Sequence, residues 1–176
     1  MIKNLRLSEM KLKSLLMKLK KLKNYKFLFF INFIILSIFF THNVTACSDI
    51  KFAKKDIFIE SHNNNQKIKF KVEIADTDLK RKTGLQCRTK MELNEGMLFI
   101  WKTEDFRNFW MKNTFIPLDI IFINKAYKIV DIFYNAKPYS LKSISSKKKA
   151  KYVLELNEGV FDTYRFDLKD RIIVNK

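Results

Sequence analysis

Short segments in which apolar and polar residues alternate recur from residue 56 to the end of the chain. The segments "DIFIE" at 56–60, "KIKFKVEIA" at 67–75 and "KIVDIFYNA" at 128–136 alternate with a period of two, which is typical of strands with one buried face. Further apolar runs occupy residues 94–101, 107–113, 117–123, 152–156 and 171–174. Together they predict seven or more short strands in a mainly β fold, a compact antiparallel sandwich or barrel.

One segment between the predicted strands favours a helix. In "ADTDLKRKTG", the side chain of Asp76 or Thr77 can accept hydrogen bonds from the first turn of a helix over residues 78–83. Gly84 suits the left-handed conformation that ends many helices. A second helical turn is predicted near 160–165.

The N-terminal part of the chain differs in composition from the rest. Residues 1–26 carry nine Lys or Arg and one acidic residue, and the segment 27–40, "FLFFINFIILSIFF", has no charge. A basic start, an apolar stretch and a small residue such as Ala46 are typical of a secretory signal peptide. Fourteen helical residues span about 21 Å, less than a hydrocarbon core of about 30 Å, so a retained membrane anchor is the weaker alternative.

This composition divides the chain into three parts. Residues 1–46 are predicted to be a signal peptide or N-terminal anchor, 47–55 a tether, and 56–176 a single β domain. The domain is therefore expected to be exported, either into the periplasm or anchored to a membrane and facing the periplasm. "Val44-Thr45-Ala46-Cys47" also resembles the lipobox of bacterial lipoproteins, which makes Cys47 a candidate for lipidation, with plain cleavage as the alternative.

The net charge of +17 is shared between leader and domain, because residues 1–46 contribute +8 and residues 47–176, with 26 basic and 17 acidic residues, contribute +9. The basic run at 145–151 predicts a solvated loop, with contact to anionic lipid headgroups as the alternative. Aromatic residues lie in strand-like segments and not beside this run, so no nucleic acid partner is expected. The expected partner is a membrane surface, contacted through the N-terminal segment.

The apolar run "FWMKNTFIPLDIIFI" at 109–123 contains three polar residues, Lys112, Asn113 and Asp119. Each of them costs free energy when buried unless it finds a partner. Alternation in a strand over 118–123 places Asp119 on one face with Ile121 and Ile123, and the apolar residues at even positions on the other.

Asp119 is therefore predicted to be paired, hydrogen-bonded or protonated. The basic residues that could pair with it are Lys112, Arg81 and Arg88, and the sequence leaves the choice open.

Four segments in order resemble the domain of unknown function 192 family, a group of exported or membrane-tethered proteins. They are "ADTDLKRKTGLQCRT", "EGMLFIW", "FWMKNTFIPLDIIFI" and "YVLELNEG", and the resemblance runs from about Lys69 to Val174. It implies a compact, jelly-roll-like β domain with one short helix, and it implies no activity.

Two interpretations of the polar residues compete. In the first they are structural: Asp119 forms a buried pair with an arginine, Asn113 caps a turn, and Trp110 lies in the core. In the second they line a pocket for a small polar or anionic ligand, because an aromatic platform with convergent polar groups is typical of such sites. The predicted ligand-binding set is Trp110, Lys112, Asn113, Asp119, Glu95, Arg81 and Arg88.

The leading functional hypothesis is a non-enzymatic, small-ligand-binding or accessory module of the cell envelope. One alternative is an envelope hydrolase that uses Glu95 and Asp119 as a carboxylate pair. Another is a protein-interaction module with no small-molecule site. No metal-type spacing of Cys and His and no glycine-rich phosphate loop occurs, so neither a metal nor a cofactor is expected.

Cys87 is the second of two cysteines. It has no candidate partner base, because His62 lies in an asparagine-rich turn and His42 in the leader, so nucleophilic chemistry is not expected. A disulfide between Cys47 and Cys87 is conceivable in an oxidising periplasm. A free, buried Cys87 is the favoured prediction.

Overall fold

The computed structural model describes residues 50–62 and 66–174, together with seven helical positions between residues 11 and 21. The chain divides into two units, Met1–Ala46 and Cys47–Lys176. The apolar segment 27–40 and Cys47 lie outside the described residues, so export and lipidation stay predictions. No helix within the described ranges is both long and apolar enough to cross a membrane.

The described part of the second unit contains nine strands and two short helices. In chain order they are β1 (Lys54–Glu60), β2 (Lys67–Ala75), α1 (Asp78–Thr83), β3 (Glu95–Asp105), β4 (Asn108–Phe109), β5 (Leu118–Ile123), β6 (Ile129–Ala136), β7 (Ile144–Ser145), β8 (Ala150–Asn157), α2 (Val160–Tyr164) and β9 (Arg171–Val174).

The predicted mainly β fold is confirmed, and several predicted boundaries coincide with those observed. β2, β9 and α1 begin and end at the predicted residues, and α2 lies in the predicted helical turn. The side chain of Thr77 caps α1 by accepting a hydrogen bond from the backbone N–H of Lys80, at 3.3 Å. β1 begins at Lys54, so its first two residues belong to the sheet and not to the predicted tether; both are exposed lysines, which hide the strand pattern.

Seven strands form one sheet in the order β6-β5-β8-β3-β2-β1-β9, and β4 pairs separately with β7. Neighbours in the large sheet are antiparallel except β2 and β3, which are parallel. Parallel neighbours need a long crossover connection, here residues 76–94 with α1 inside it. The sequence predicts only antiparallel pairing, because a helix of six residues is too short to show the rhythm of a strand–helix–strand unit.

The segment 107–113 is predicted as a strand, but only Asn108 and Phe109 are extended. Its later residues turn away because Met111 donates its N–H to the carbonyl of Ser140 at 2.9 Å, and Asn113 has a positive φ of 54°. Consequently this part of the apolar run covers the large sheet and does not extend it.

The two faces of the large sheet carry separate apolar clusters. All six residues of β5 are buried, with its even-numbered residues in one cluster and Ile121 and Ile123 in the other, as the alternation predicts. The cluster that contains Ile121 and Ile123, on the first face of the sheet, also contains Val160 and Phe161 of α2. The cluster that contains the even-numbered residues of β5, on the second face, includes Leu85 and Met111, and the candidate site lies on this second face.

Gly96 lies inside β3. A Cβ atom at this position would lie 2.5 Å from the carbonyl oxygen of Glu155 and 2.6 Å from Cδ2 of Leu156 on β8. Glycine is therefore required here because β3 and β8 approach closely, and not for its access to a positive φ.

Candidate functional site

A cavity of about 370 Å³ opens on the second face of the sheet. Helix α1, the residues that follow it, strands β3, β4 and β8, and the loop after β4 all contribute to its lining. The lining residues are Asp78, Arg81, Lys82, Thr83, Gly84, Leu85, Gln86, Phe99, Trp101, Asn108, Phe109, Trp110, Lys112, Thr114 and Glu155.

Aromatic rings form one wall of the cavity. Phe99 and Trp101 are two residues apart on β3, so their side chains leave the same face of the sheet. Their rings are 6.2 Å apart and nearly parallel, at 19°. Phe109 meets Phe99 edge to face at 5.1 Å and Trp101 at 6.1 Å. Such a wall offers apolar surface and ring faces to a ligand.

Arg81 is held rigidly at the edge of this wall. Its Nη1 donates to the carbonyl oxygens of Asp76, at 2.7 Å, and Ile100, at 2.6 Å, and its Nη2 donates to Oδ1 of Asp78 at 2.5 Å. The centre of the guanidinium lies 5.3 Å from the ring centroid of Trp101. Three of its five N–H donors are therefore engaged by the protein.

A second guanidinium, that of Arg107, lies closer to Trp101, with Cζ 4.4 Å from the ring centroid. Its Nε donates to the carbonyl of Ala150 at 3.0 Å, and its Nη2 donates to the carbonyl of Thr103. Burial, together with the charge of Arg81, lowers the pKa of Arg107, against the opposing effect of Asp105. Arginine keeps its charge even so, and Trp101 is thus fixed by two cations through its π system.

Glu155 lines the cavity and is only 5% exposed. In the register of the sheet it stands between Met97 of β3 and Ile120 of β5, so its side chain points toward the second face. Burial raises the pKa of its carboxyl from 4.5 to about 8. Among the residues that the structure describes, no group pairs with or donates to this carboxyl.

The rim of the cavity is basic. Lys82 and Lys112 are exposed there, and Nζ of Lys112 lies 5.6 Å from the ring centroid of Trp110, which is 54% exposed. The acidic Asp78 is neutralised by its ion pair with Arg81. With the buried carboxyl protonated at neutral pH, the lining carries a net positive charge.

Asp119 lies elsewhere, buried at 1% exposure. Its Oδ1 accepts the backbone N–H of Asn135 and its Oδ2 that of Gly159, each at 3.0 Å, and the N–H of Phe161 also hydrogen-bonds to the carboxylate. Burial raises the pKa of Asp119, while these three N–H groups oppose the shift. Of the three predicted states of Asp119 the hydrogen-bonded one is observed, and an ion pair with Lys112, Arg81 or Arg88 is not. Through these backbone N–H groups Asp119 joins β5 to the end of β6 and the start of α2.

Glu95 and Arg88 lie in a separate cleft. Arg88 donates to Oε2 of Glu73 at 2.6 Å, and Nζ of Lys54 lies 3.6 Å from Oε1 of Glu95. These partly exposed pairs face the opposite end of β3 from the aromatic wall.

Asn113 borders the candidate cavity without being part of its lining. Its Nδ2 donates to Oε1 of Gln86 at 3.4 Å, and its carbonyl accepts the N–H of Cys87 at 2.7 Å. The seven predicted site residues are therefore divided: Arg81, Trp110 and Lys112 line the cavity, and the other four lie outside it. Trp110, predicted in the core by the structural interpretation, is exposed.

Glu155, Trp101 and Arg107 were not among the site residues predicted from the sequence. The signal for Glu155 was present in "YVLEL", where one carboxylate interrupts an apolar strand just as Asp119 does. Nothing comparable marked Arg107, because it is the first residue of the run 107–113 and is followed by the polar Asn108, as at an ordinary strand end.

Cys87 is disulfide-bonded, so the prediction of a free, buried thiol is wrong. Its side chain is only partly buried, and it lies next to the segment that lines the cavity. The only other cysteine of the chain is Cys47, which lies outside the described residues.

Fold and site together define a mainly β domain with one aromatic-lined, cationic cavity against its seven-stranded sheet. The chain belongs to the DUF192 family, described as "Uncharacterized ACR", whose model matches residues 58–174. The match begins eleven residues before the start inferred from the motifs, because it includes the last three residues of β1 and the first residues of β2.

The solved structures that are similar to this chain include two crystal structures. One is of a protein from Sinorhizobium meliloti 1021 described as a candidate transcription regulator, with 32% identity and a TM-score of 0.70 over 72% of this chain and 98% of that one. The other is of a protein of unknown function from Novosphingobium aromaticivorans DSM 12444, with 28% identity and a TM-score of 0.65 over 73% and 96% of the two chains. A search of curated proteins found no match.

Proposed function

We propose that this protein is an exported module of the cell envelope that binds a small, acceptor-rich anion in the cavity beside α1. The observation that carries the proposal is the combination of an aromatic wall, a basic rim and an unpartnered buried carboxyl in one space of about 370 Å³. Ligand sites of this size typically combine apolar walls with a few placed polar groups.

The export part of the proposal rests on the basic and apolar composition of residues 1–40. The disulfide at Cys87 agrees with it, because such bonds persist mainly in oxidising compartments. Contact of the N-terminal segment with a membrane surface belongs to the same proposal.

Lipidation at Cys47 competes with a disulfide for the same sulfur atom. If Cys87 bonds within the chain, its partner can only be Cys47, and we then expect no lipid there. Intact mass of the exported protein before and after reduction tests this: a gain of two hydrogens on reduction is expected, and an added lipid mass would contradict it.

The hydrolase alternative loses its geometric support. The oxygens of Asp119 are engaged by three backbone N–H groups, and Glu95 lies in another cleft beside Lys54. Two carboxylates in such different surroundings do not flank a common substrate bond.

A role in transcription, as in the description of the Sinorhizobium protein, is not carried over to this chain. Within the described part of Cys47–Lys176, the helices have six and five residues, too short to present a recognition helix to a major groove.

A protein-interaction module remains the second candidate because of exposed apolar side chains near the cavity. Phe115 and Tyr139 stack at 5.1 Å, and Leu141 is 69% exposed. Leu141 and Trp110 also line a shallow groove of about 260 Å³. Leu141→Ser should abolish self-association or partner capture if this surface is the functional one, and should leave anion binding unchanged.

Anion binding can be tested by thermal-shift and calorimetric titration of the purified protein with sulfate, glucuronate and citrate, and with choline as a cationic control. We expect the anions to raise the melting temperature and choline to leave it unchanged. Lys112→Ala should weaken anion binding, whereas replacing Lys148, an exposed lysine that does not line the cavity, should not (Lys148→Ala). Equal effects of the two variants would contradict the proposed site.

A further inference from the structure

We propose that Glu155 contacts the ligand directly, as a neutral carboxylic acid that donates a hydrogen bond to an oxyanion group such as a carboxylate or sulfate. This inference rests on the proposed function, since it concerns the same cavity. It adds the residue that selects the ligand and the chemical class that this residue accepts.

Position is the first argument. Glu155 is buried in the middle of the sheet, opposite Met97 on one side and Ile120 on the other, and its side chain reaches the cavity. A buried polar side chain in a folded protein normally has a hydrogen-bond partner. Among the described residues no fully enclosed side-chain oxygen lacks a partner, so the oxygens of Glu155, which have none, are accessible from the cavity, where a ligand can bond to them.

The charged groups around the cavity leave Glu155 without an ion-pair partner. Its strand neighbours are apolar, and the cavity brings Arg81, Lys82, Lys112 and Asp78 to the same space from α1 and from the loop after β4. None of these groups forms an ion pair with Glu155. Burial alone raises its pKa to about 8, so at neutral pH the group is an acid with one O–H donor.

The groups of the cavity are complementary to an oxyanion. A neutral acid donates one hydrogen bond, and the fixed guanidinium of Arg81 and the lysines of the rim add positive charge. An oxyanion satisfies both, whereas a cation would need the ionised carboxylate and would be repelled at the rim. The class of ligand is therefore an organic or inorganic oxyanion and not an amine.

The sign of the pH dependence tests the inference. We would titrate the full protein with sulfate and with glucuronate, whose charges do not change between pH 6.5 and 9.5, by calorimetry. If only the protonated form binds, the apparent affinity should fall about thirtyfold over this range, because the competent fraction falls as pH rises through a pKa of about 8.

Two variants distinguish the contribution of Glu155 to anion binding from that of the other cavity residues. Glu155→Gln keeps a neutral donor of the same size, so it should bind both probes at pH 6.5 and lose most of the pH dependence; any slope that remains reports the lysines. Glu155→Leu should bind at least tenfold more weakly at pH 6.5. If a variant fails to fold, the dependence of wild-type binding affinity on pH still tests whether the protonated form of Glu155 binds the anion.

The outcomes distinguish the two proposals. Binding that persists with the same affinity at pH 9.5, or equal pH profiles for wild type and Glu155→Gln, would overturn the role of Glu155 and leave the anion site standing. Affinity that rises with pH, or preferential binding of choline, would overturn the assigned ligand class. Failure of the wild-type protein to bind either probe at any pH would overturn both proposals.

Discussion

Two buried carboxylates stand on neighbouring strands of the same sheet, and their surroundings are opposite. Asp119 of β5 pairs in register with Leu156, and Glu155 of β8 pairs with Ile120, so the two acids lie one position apart along the chains and face opposite sides of the sheet. Asp119 accepts three backbone N–H groups, while nothing in the described part of the chain donates to Glu155. Burial is common to both, so burial of a polar side chain does not identify a site; the missing partner does.

This difference also separates stability from binding. Three N–H donors would be left unsatisfied without Asp119, so its carboxylate stabilises the junction of β5, β6 and α2. Glu155 costs free energy where it stands, because its carboxyl loses hydration and gains no partner. Because Glu155 destabilises the protein when no ligand is bound, we expect it to contribute to binding when a ligand is present.

The largest expected effect is the loss of stability on replacing Asp119. Asp119→Ala should lower the free energy of unfolding by about 3 kcal/mol or more, because three buried donors lose their acceptor at once. Chemical denaturation at pH 7 measures it, with Glu155→Gln as the matched control, which should not destabilise. A loss below about 1 kcal/mol would mean that water replaces the carboxylate and that the contrast is false.

The second effect is the dependence of stability on pH. The pKa of Glu155 is raised in the folded state, so its stabilising protonation is fully present below about pH 4.5 and is lost as pH rises through about 8. The slope contributed by this group is at most about 1.4 kcal/mol per pH unit. Asp119 also has a raised pKa, so the informative quantity is the difference between wild type and Glu155→Gln.

Denaturant midpoints of both proteins at pH 5, 7 and 9 provide that difference. Glu155→Gln should become the more stable of the two as pH rises, by about 1 kcal/mol or more at pH 9. A constant difference across this range would show that Glu155 ionises normally.

The smallest effects separate the cavity from the neighbouring cleft. Arg81→Met removes three hydrogen bonds and a contact with Trp101, so it should cost about 1–2 kcal/mol of stability and weaken anion binding. Arg88→Met breaks one partly exposed pair with Glu73 and should cost less than about 1 kcal/mol. Glu95→Gln should change stability by about 0.5 kcal/mol or less and leave binding unchanged.

Denaturation and calorimetric titration of these three variants test this order. Weaker anion binding in Arg88→Met or Glu95→Gln, at a magnitude similar to that in Arg81→Met, would place the site in the cleft.

Sequence patterns predicted the strands well because alternation at a period of two is local. β2 and β9 have the predicted bounds, and the predicted faces of β5 are those observed. The capping residues of α1 are local as well, since Thr77 and Lys80 lie three residues apart. The cost of burying Asp119 was also apparent from its apolar neighbours, although not the identity of its partners.

Long-range contacts account for what the sequence left open. Asp119 binds backbone groups 16 and 40 residues further along the chain, and backbone N–H groups carry no sequence signature. The cavity joins α1 with β3, β8 and the loop after β4, a grouping that depends on the parallel crossover between β2 and β3. Local patterns of polarity were enough to predict the strands, their faces and a buried charge, because residues close together in the chain determine these features. The pairing of the strands alone determined which polar groups meet and which carboxyl is left without a partner in the protein, because these contacts join residues far apart in the chain.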